Sequence, residues 1–273
     1  MIVRLLLDHG ANTGIVIPSS GRSMALCAAS TRGHVGVVNL LLRKDPNPAV
    51  TINLSTEDRP HALYQAVEAG NAEIARLLIQ NGASANASPS ALLAASYTRD
   101  KILVEELLSH GASPNSIFYF DDFALYRCDP LSIAIESCWV GCVQLLLRNG
   151  AQVSDEHVIE AAGCETMDVF QLILEARFFL EDAPASCLEQ AFGKASTSYH
   201  RDIMSLLLDK GADVNTKLDD HYAALRIASR EGRRDIVEML LERGADVNWV
   251  HCEEDSTALQ EAAARTERIQ GHR

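Results

Sequence analysis

The sequence predicts an all-α fold, a solenoid of paired antiparallel helices joined by finger loops. A leucine-rich run followed two residues later by Gly-Ala recurs along the chain, and stretches with helical spacing of apolar residues precede these runs. The composition agrees, because 47% of the 273 residues are hydrophobic but only 5% are aromatic, which suits many short helices with small residues at their contacts.

The leucine-rich runs define the second helix of each repeating unit. Successive Gly-Ala pairs are 72, 29, 39, 61 and 33 residues apart, and each long gap is about twice a period of roughly 33 residues. Each long gap contains a degenerate copy, in which Asp45 or Arg177 stands where glycine is expected. The intact pairs begin at Gly10, Gly82, Gly111, Gly150, Gly211 and Gly244.

The first helix of each unit is marked by its start and its end. Asp129 before Pro130 places a carboxylate at an N-cap and proline at the first helical position. Thr257 and Gln260 have the spacing of a capping box. Glycine stands where the first helix must end and turn in three units, at Gly33, Gly70 and Gly232.

This pattern resembles the ankyrin repeat. The best matches are the Gly-Ala-Asp-Val-Asn loops at Gly211–Asn215 and Gly244–Asn248, and the turn at Gly33-His34. The Thr-Pro-Leu-His signature of the family survives only as Asp129–Ser132 and Thr257–Gln260. The resemblance implies stacked helix pairs whose concave face binds other proteins.

We expect residues 1–273 to form one array of about seven full or degenerate repeats, with a partial repeat at each end. The partial ends have two explanations: the chain is a fragment of a longer array, or its end units have adapted as caps. We favour the fragment. The approximate boundaries are 1–19, 20–56, 57–88, 89–121, 122–154, 155–184, 185–218, 219–251 and 252–273.

Three interruptions of the repeat are expected. We interpret Ser116–Arg127 as an aromatic finger loop and Asp45–Thr56 as a lengthened loop. Gly193–Ser198 is interpreted as a widened turn between the two helices of the seventh unit. The aromatic loop is interpreted as a binding hot spot, or alternatively as a hairpin that folds its aromatic rings onto the neighbouring unit. Its members are Phe118, Tyr119, Phe120, Asp121, Asp122, Phe123 and Tyr126.

The charge favours a basic protein partner and argues against general nucleic-acid binding. The net charge is -13, of which -10 falls in residues 137–273, whereas a phosphate backbone requires lysine and arginine. Acidic finger positions could line one side of the binding groove; alternatively they are solvated loops that serve solubility. Besides Asp121 and Asp122 they are Asp219, Asp220, Glu253, Glu254 and Asp255.

Sequence motifs for catalysis, cofactors and metals are missing. No phosphate-binding glycine loop occurs, and Cys138 and Cys142 lack a second ligand pair at zinc-site spacing. We therefore expect no enzymatic activity, no cofactor and no metal. No run approaches a membrane span of roughly 20 apolar residues, and the first residues, charged within their apolar run, do not look like a secretory signal. An intracellular protein, cytoplasmic or nuclear, is expected, with a monomer favoured.

The leading functional prediction is a protein–protein interaction scaffold or adaptor. The alternative is an interaction segment of a larger enzyme or signalling protein. The resemblance also implies a modification, since loop asparagines of ankyrin repeats are substrates of an asparaginyl hydroxylase. Asn215 and Asn248 fit that context, each with a leucine eight residues upstream, Leu207 and Leu240.

Overall fold

The computed structural model describes residues 2–13, 25–53, 62–86, 89–119, 127–178, 183–216, 223–249 and 256–270. Within these ranges the secondary structure is almost entirely short helices, and the predicted all-α repeat architecture is confirmed. The chain falls into two compact units, residues 1–152 and residues 153–273, which are described in turn.

Unit 1 has two layers of helices. The first helices α2, α5, α7 and α9 pack side by side in sequence order, and the second helices α1, α3, α6, α8 and α10 form the other layer. The elements of this unit are α1 (Ile2–Asp8), α2 (Ala25–Thr31), α3 (Val35–Lys44), α4 (Pro48–Ile52), α5 (Ala62–Glu68), α6 (Ala72–Gln80), α7 (Pro89–Thr98), α8 (Lys101–Ser109), β1 (Phe118–Tyr119), β2 (Arg127–Cys128), α9 (Pro130–Glu136) and α10 (Val140–Arg148).

Unit 2 repeats this arrangement. Its first helices α11, α13, α15 and α17 pack consecutively, and its second helices α12, α14 and α16 pack consecutively beside them. The helices are α11 (Asp155–Ala161), α12 (Met167–Arg177), α13 (Ala185–Thr197), α14 (Arg201–Asp209), α15 (Ala224–Glu231), α16 (Arg234–Glu242) and α17 (Ala258–Gln270).

The core of each unit lies between its two layers. Second helices bury apolar residues four apart, such as Ile74 and Leu78, which are both 0% exposed. First helices bury small alanine side chains, such as those of Ala66 and Ala134, so that neighbouring helices approach closely. Burying one leucine side chain in this way contributes about 2 kcal/mol, and truncating it also leaves a cavity.

In six of the seven described helix pairs, all except α11 and α12, the turn between the first and the second helix contains a left-handed residue. The predicted turn glycines adopt this conformation, with φ of 73° at Gly33, 73° at Gly70 and 66° at Gly232. In three other helix pairs a residue with a side chain takes the same conformation: Arg99 (59°), Cys138 (49°) and Tyr199 (60°). Each such residue costs about 1 kcal/mol, which the surrounding packing must offset.

Both predicted helix caps are confirmed. The Asp129 carboxylate accepts the N–H groups of Leu131 and Ser132, each at 3.0 Å, and Pro130 follows it at the first helical position. At α17 the Thr257 N–H donates to Gln260 Oε1 at 2.7 Å, and the Gln260 N–H donates to Thr257 Oγ1 at 3.3 Å.

Two of the predicted interruptions differ from the structure. Gly193–Ser198 is not a widened turn: α13 continues through Thr197, because Phe192, Ala195 and Ser196 extend its buried face and Ser196 Oγ donates to the Phe192 carbonyl at 2.7 Å. The extra residues of this unit therefore lengthen the N-terminal part of α13. The expected loop at Asp45–Thr56 contains the short helix α4.

Candidate protein-interaction surface

The aromatic loop forms a hairpin between α8 and α9. Strands β1 and β2 pair antiparallel, with Phe118 opposite Cys128 and Tyr119 opposite Arg127. The side chains of Phe118 and Tyr119, and the whole of residues 120–126, lie outside the described residues. This includes the candidate residues Phe120, Asp121, Asp122 and Tyr126, so their role stays a prediction. The hairpin itself gives the loop a defined base.

The acidic candidates of unit 2 also lie outside the described residues. They are Asp219, Asp220, Glu253, Glu254 and Asp255. The residues on either side of them are described: the Gly-Ala-Asp-Val-Asn loops precede each acidic segment, and helices α15 and α17 follow. The acidic segments therefore connect a second helix and its loop to the next first helix, which is the finger position of the repeat.

Asparagine side chains tie the loops of successive repeats together in unit 1. Asn53 Nδ2 donates to the Gly82 carbonyl at 2.9 Å, and Asn53 Oδ1 accepts the Ser84 N–H at 2.7 Å. The next bridge runs from the Ser113 N–H to Asn86 Oδ1, at 2.7 Å. Each asparagine thus binds backbone groups of the following loop, which satisfies polar groups that the helix ends leave free.

Asn115 makes a bridge of the same two-bond form as Asn53. Its Nδ2 donates to the Gly150 carbonyl at 3.0 Å, and its Oδ1 accepts the Gln152 N–H at 2.8 Å. Asn115 lies three residues before Phe118, where β1 begins, and Ile117 between them is 40% exposed. The base of the aromatic finger is therefore held by a loop that is itself bonded to the next loop.

Unit 2 contains the same bridge. Asn215 Oδ1 accepts the Asp246 N–H at 2.8 Å, and the Asp213 carboxylate accepts the Asn215 N–H at 2.9 Å. Asp246 accepts the Asn248 N–H in the same way, at 2.9 Å. Aspartate two residues before asparagine makes an Asx turn that fixes each loop. The sequence prediction missed this bridging role, although at Asn86, Asn115 and Asn215 an asparagine four residues after the loop glycine was its visible signal.

The two candidate hydroxylation sites differ in their surroundings. Asn215 is half-buried and its amide oxygen is bonded to the next loop, whereas the Asn248 residue is exposed. An enzyme that acts on the side chain of a folded loop therefore reaches Asn248 more easily than Asn215.

The first helices of unit 1 present polar and aromatic side chains. Tyr64 donates to Glu68 Oε1 at 2.7 Å; burial, and then this hydrogen bond and the Glu68 charge, raise the pKa of Tyr64 to about 12. On the neighbouring first helix Tyr97 is 75% exposed. A large exposed aromatic is a common anchor at protein interfaces, and Tyr97 was not singled out by the sequence.

Four of the described cysteines, Cys27, Cys142, Cys164 and Cys187, are buried in the core. Cys142 is fully buried, its Sγ lies 3.8 Å from Ser96 Oγ, and burial raises the pKa of its thiol to about 11. Burial, with the Asp155 charge as the next cause, raises the pKa of Cys187 to about 11 as well. Thiols with raised pKa values are poor nucleophiles and poor metal ligands at neutral pH.

The described part of the chain contains neither a membrane-spanning helix nor a cluster of metal ligands. None of its helices is both long and apolar enough to cross a bilayer. Within the same ranges, no three side chains of the histidine, cysteine, aspartate and glutamate types cluster closely enough to hold a metal ion.

Comparisons with known proteins agree with this geometry. The family model described as ankyrin repeats in three copies matches residues 1–89, 26–118, 63–157 and 158–251. No curated protein sequence matches significantly. Among solved structures, the crystal structure of the human ASB11 ankyrin repeat domain superposes with a TM-score of 0.61 and 22% identity, over 82% of this chain and 99% of that one. The chain belongs to the ankyrin-repeat family.

Proposed function

We propose that this protein is an interaction scaffold or adaptor that binds a partner protein through its finger loops and first helices, without catalysis. Ankyrin repeats generally serve as protein-interaction modules and are typically not catalytic. The observation that carries the proposal is the set of asparagine bridges at Asn53, Asn86, Asn115 and Asn215. Loops that are ordered before binding lose less conformational entropy when a partner docks on them.

Within this surface, the aromatic finger is the proposed anchor. Phe118, Tyr119, Phe120 and Tyr126 are the residue types that contribute most at interface centres. The paired strands β1 and β2 support the proposal, because they hold together the two points at which the chain enters and leaves the aromatic segment. Tyr97, exposed on the first helix α7, extends the same proposal to the helical face of unit 1.

The proposed partner carries a basic surface. Supporting this, residues 137–273 contain 24 acidic and 14 basic side chains, a net charge of -10. Acidic pairs and triplets recur at finger positions, at Asp121 and Asp122, at Asp219 and Asp220, and at Glu253, Glu254 and Asp255. Charge of this kind accelerates association with a basic surface and makes it sensitive to salt.

Comparing captured partners tests the proposal. The triple variant Phe118→Ala, Tyr119→Ala, Phe120→Ala is compared with the wild-type chain by proximity labelling and pull-down, after circular dichroism shows that both fold. Ile102→Ala is the matched control, because Ile102 is 58% exposed on the second helix α8 of the preceding repeat. Loss of a partner in the triple variant only supports the finger. Equal capture by all three chains would contradict it.

We propose that residues 1–273 form a single array of repeats. We also propose that the protein lies in an intracellular compartment, the cytoplasm or the nucleus. The family match at residues 63–157 supports the array, since it spans the division at residue 152. Repeats stabilised by their neighbours unfold together when coupling is strong. One cooperative urea transition would agree with this, and two separated transitions would argue for independent units.

We propose Asn248 as the better hydroxylation site, with Asn215 as the second. Exposure of Asn248 and the hydrogen bond of Asn215 Oδ1 support this order. After incubation with an asparaginyl hydroxylase, mass spectrometry should find one added oxygen at Asn248 before Asn215. Absence of added oxygen at both positions would remove the proposal.

A further inference from the structure

Tyr97 is an exposed aromatic residue in the interior of the repeat series. It lies on the first helix α7, which packs against the first helix α5 on one side and against α9 on the other. Although both neighbouring helices are in place, Tyr97 is 75% exposed. Its exposure is therefore set by repeats that are all described, and the stacking of these repeats leaves its ring in water.

A glutamate lies on either side of Tyr97 in the neighbouring repeats. Tyr97 stands two residues before the left-handed residue of its turn, and Glu68 and Glu136 hold the same position on α5 and α9. Both glutamates are exposed. Packed helices lie about 8 to 10 Å apart, so the two glutamates flank Tyr97 at one helix spacing on each side.

The flanking carboxylates have no cation of their own. Neither Glu68 nor Glu136 forms a salt bridge with another described residue. In contrast, Glu106 Oε2 on the second helix α8 lies 2.8 Å from Arg76 Nε. Unpaired negative charge on both sides of an aromatic ring favours a cation that another molecule supplies.

The neighbouring contacts leave this surface open to a cation. Tyr64 donates to Glu68 Oε1 at 2.7 Å, so Glu68 Oε2 can accept another donor. Arg99, the basic residue closest to Tyr97 in sequence, donates through Nη2 to the Ser137 carbonyl and is engaged at the turn after α9. The residues that flank and include Tyr97 also lie in the last turn of their helices, where the negative end of the helix dipole favours a cation.

We propose that Tyr97, Glu68 and Glu136 form a binding site, the Tyr97 site, for an arginine side chain of the partner protein. The guanidinium stacks on the ring within about 6 Å of its centroid and donates to a flanking carboxylate. Arginine fits better than lysine, because its planar group stacks on a ring and donates from several N–H groups at once. The proposal rests on the proposed function, since it names what a basic partner places against the first helices.

A peptide probe tests the Tyr97 site without a captured partner. The probe is a short peptide of alternating glycine and arginine, and its control contains citrulline, which keeps the shape of arginine but is neutral. Fluorescence anisotropy follows binding to the full chain at about 50 mM salt, where exposed charges are weakly screened. We expect the citrulline peptide to bind about 10-fold more weakly or worse.

Substitutions at the site separate ring stacking from charge. Tyr97→Ala should weaken binding of the arginine peptide by about 5-fold, whereas Tyr97→Phe keeps the ring and should stay within about 2-fold of the wild type. Glu136→Gln should weaken binding by about 3-fold. Glu105→Gln is the matched control, because the Glu105 side chain is 47% exposed on the second helix α8, and it should bind like the wild type. All four variants change exposed residues and should keep the wild-type circular dichroism spectrum.

Two results with the probe would overturn the proposal. They are a Tyr97→Ala variant that binds the arginine peptide like the wild type, and equal weakening by Glu105→Gln and Glu136→Gln, which would mean that the peptide responds only to overall charge. Pull-downs with the same variants separate this site from the proposed function. A partner that the finger variant loses but Tyr97→Ala captures unchanged would overturn the Tyr97 site alone. Weaker probe binding by Tyr97→Ala, with no partner captured by any chain, would support the site and contradict the scaffold function.

Discussion

Replacing Asn115 by alanine measures what the bridges between successive loops contribute to stability. The substitution removes two hydrogen bonds, one to the Gly150 carbonyl at 3.0 Å and one from the Gln152 N–H at 2.8 Å. Each bond contributes about 1 kcal/mol net, but Asn115 is exposed and water can replace part of it. We expect the free energy of unfolding to fall by about 1 to 2 kcal/mol.

Urea unfolding followed by circular dichroism measures this change, as a midpoint lowered by about 0.5 M. Hydrogen exchange gives a local measure, because the Gln152 amide loses its acceptor and should exchange about 10-fold faster. Asn149→Ala is the matched control, since Asn149 Nδ2 bonds only to the Leu145 carbonyl within its own repeat in the described structure. If Asn149→Ala destabilised the chain as much as Asn115→Ala, the bridges would have no special role.

Three further predictions concern the caps, the last helix and the thiols. Asp129→Ala should lower the free energy of unfolding by about 1 to 2 kcal/mol, because two N–H groups of α9 lose their acceptor. Asp129→Asn keeps an acceptor oxygen and should retain most of that stability. Equal losses for the two variants in urea unfolding would contradict this role of the cap. Glu261→Ala should weaken the packing of α17 on α15 by about 3 kcal/mol, because it leaves the largely buried Arg226 without that carboxylate. Limited proteolysis should then cleave α17 first. An unchanged digestion pattern would refute the role of the pair. The free energy of unfolding should fall as pH rises from 9.0 to about 11, because the folded state keeps Cys142 and Cys187 protonated where unfolded thiols ionise. Below pH 9.0 the contribution is constant, and the decline should be smaller in a variant with both cysteines changed to alanine.

Local chemistry explains why the helix pairs could be predicted. The cap at Asp129 and the box at Thr257 and Gln260 depend on residues no more than three apart, so the sequence contains all of the information. The turn glycines are equally local, since a left-handed residue at Gly70 or Gly232 is needed whatever packs nearby.

Predictions failed where packing overrode a local signal. Gly193 suggested a turn, yet it lies inside α13, because the buried residues Phe192 and Ala195 continue the helical face past it. In the same way, Arg99 and Tyr199 adopt left-handed conformations that their side chains disfavour, since the repeat imposes the turn. The helix propensity of a single residue therefore predicts the local conformation poorly where a continuous stripe of buried residues runs through it.

The candidate surface was predicted only in outline. The position of the aromatic finger followed from repeat arithmetic, and the hairpin β1–β2 lies there. The asparagine bridges could not be predicted as contacts, because Asn115 and Gly150 are 35 residues apart and their meeting depends on how repeats stack. The exposure of Tyr97 likewise depends on which side of α7 the neighbouring first helices cover.

Hydrogen exchange of the chain with and without a captured partner tests the central claim most directly. If the partner docks on finger loops and first helices, slower exchange should appear in the loop and hairpin segments at residues 111–119 and 127–129 and in first helices such as α7, where Tyr97 is exposed. The second helices α6, α8 and α10 should exchange as in the free chain. Slower exchange confined to those second helices would contradict the account, because it would place the partner on the opposite layer.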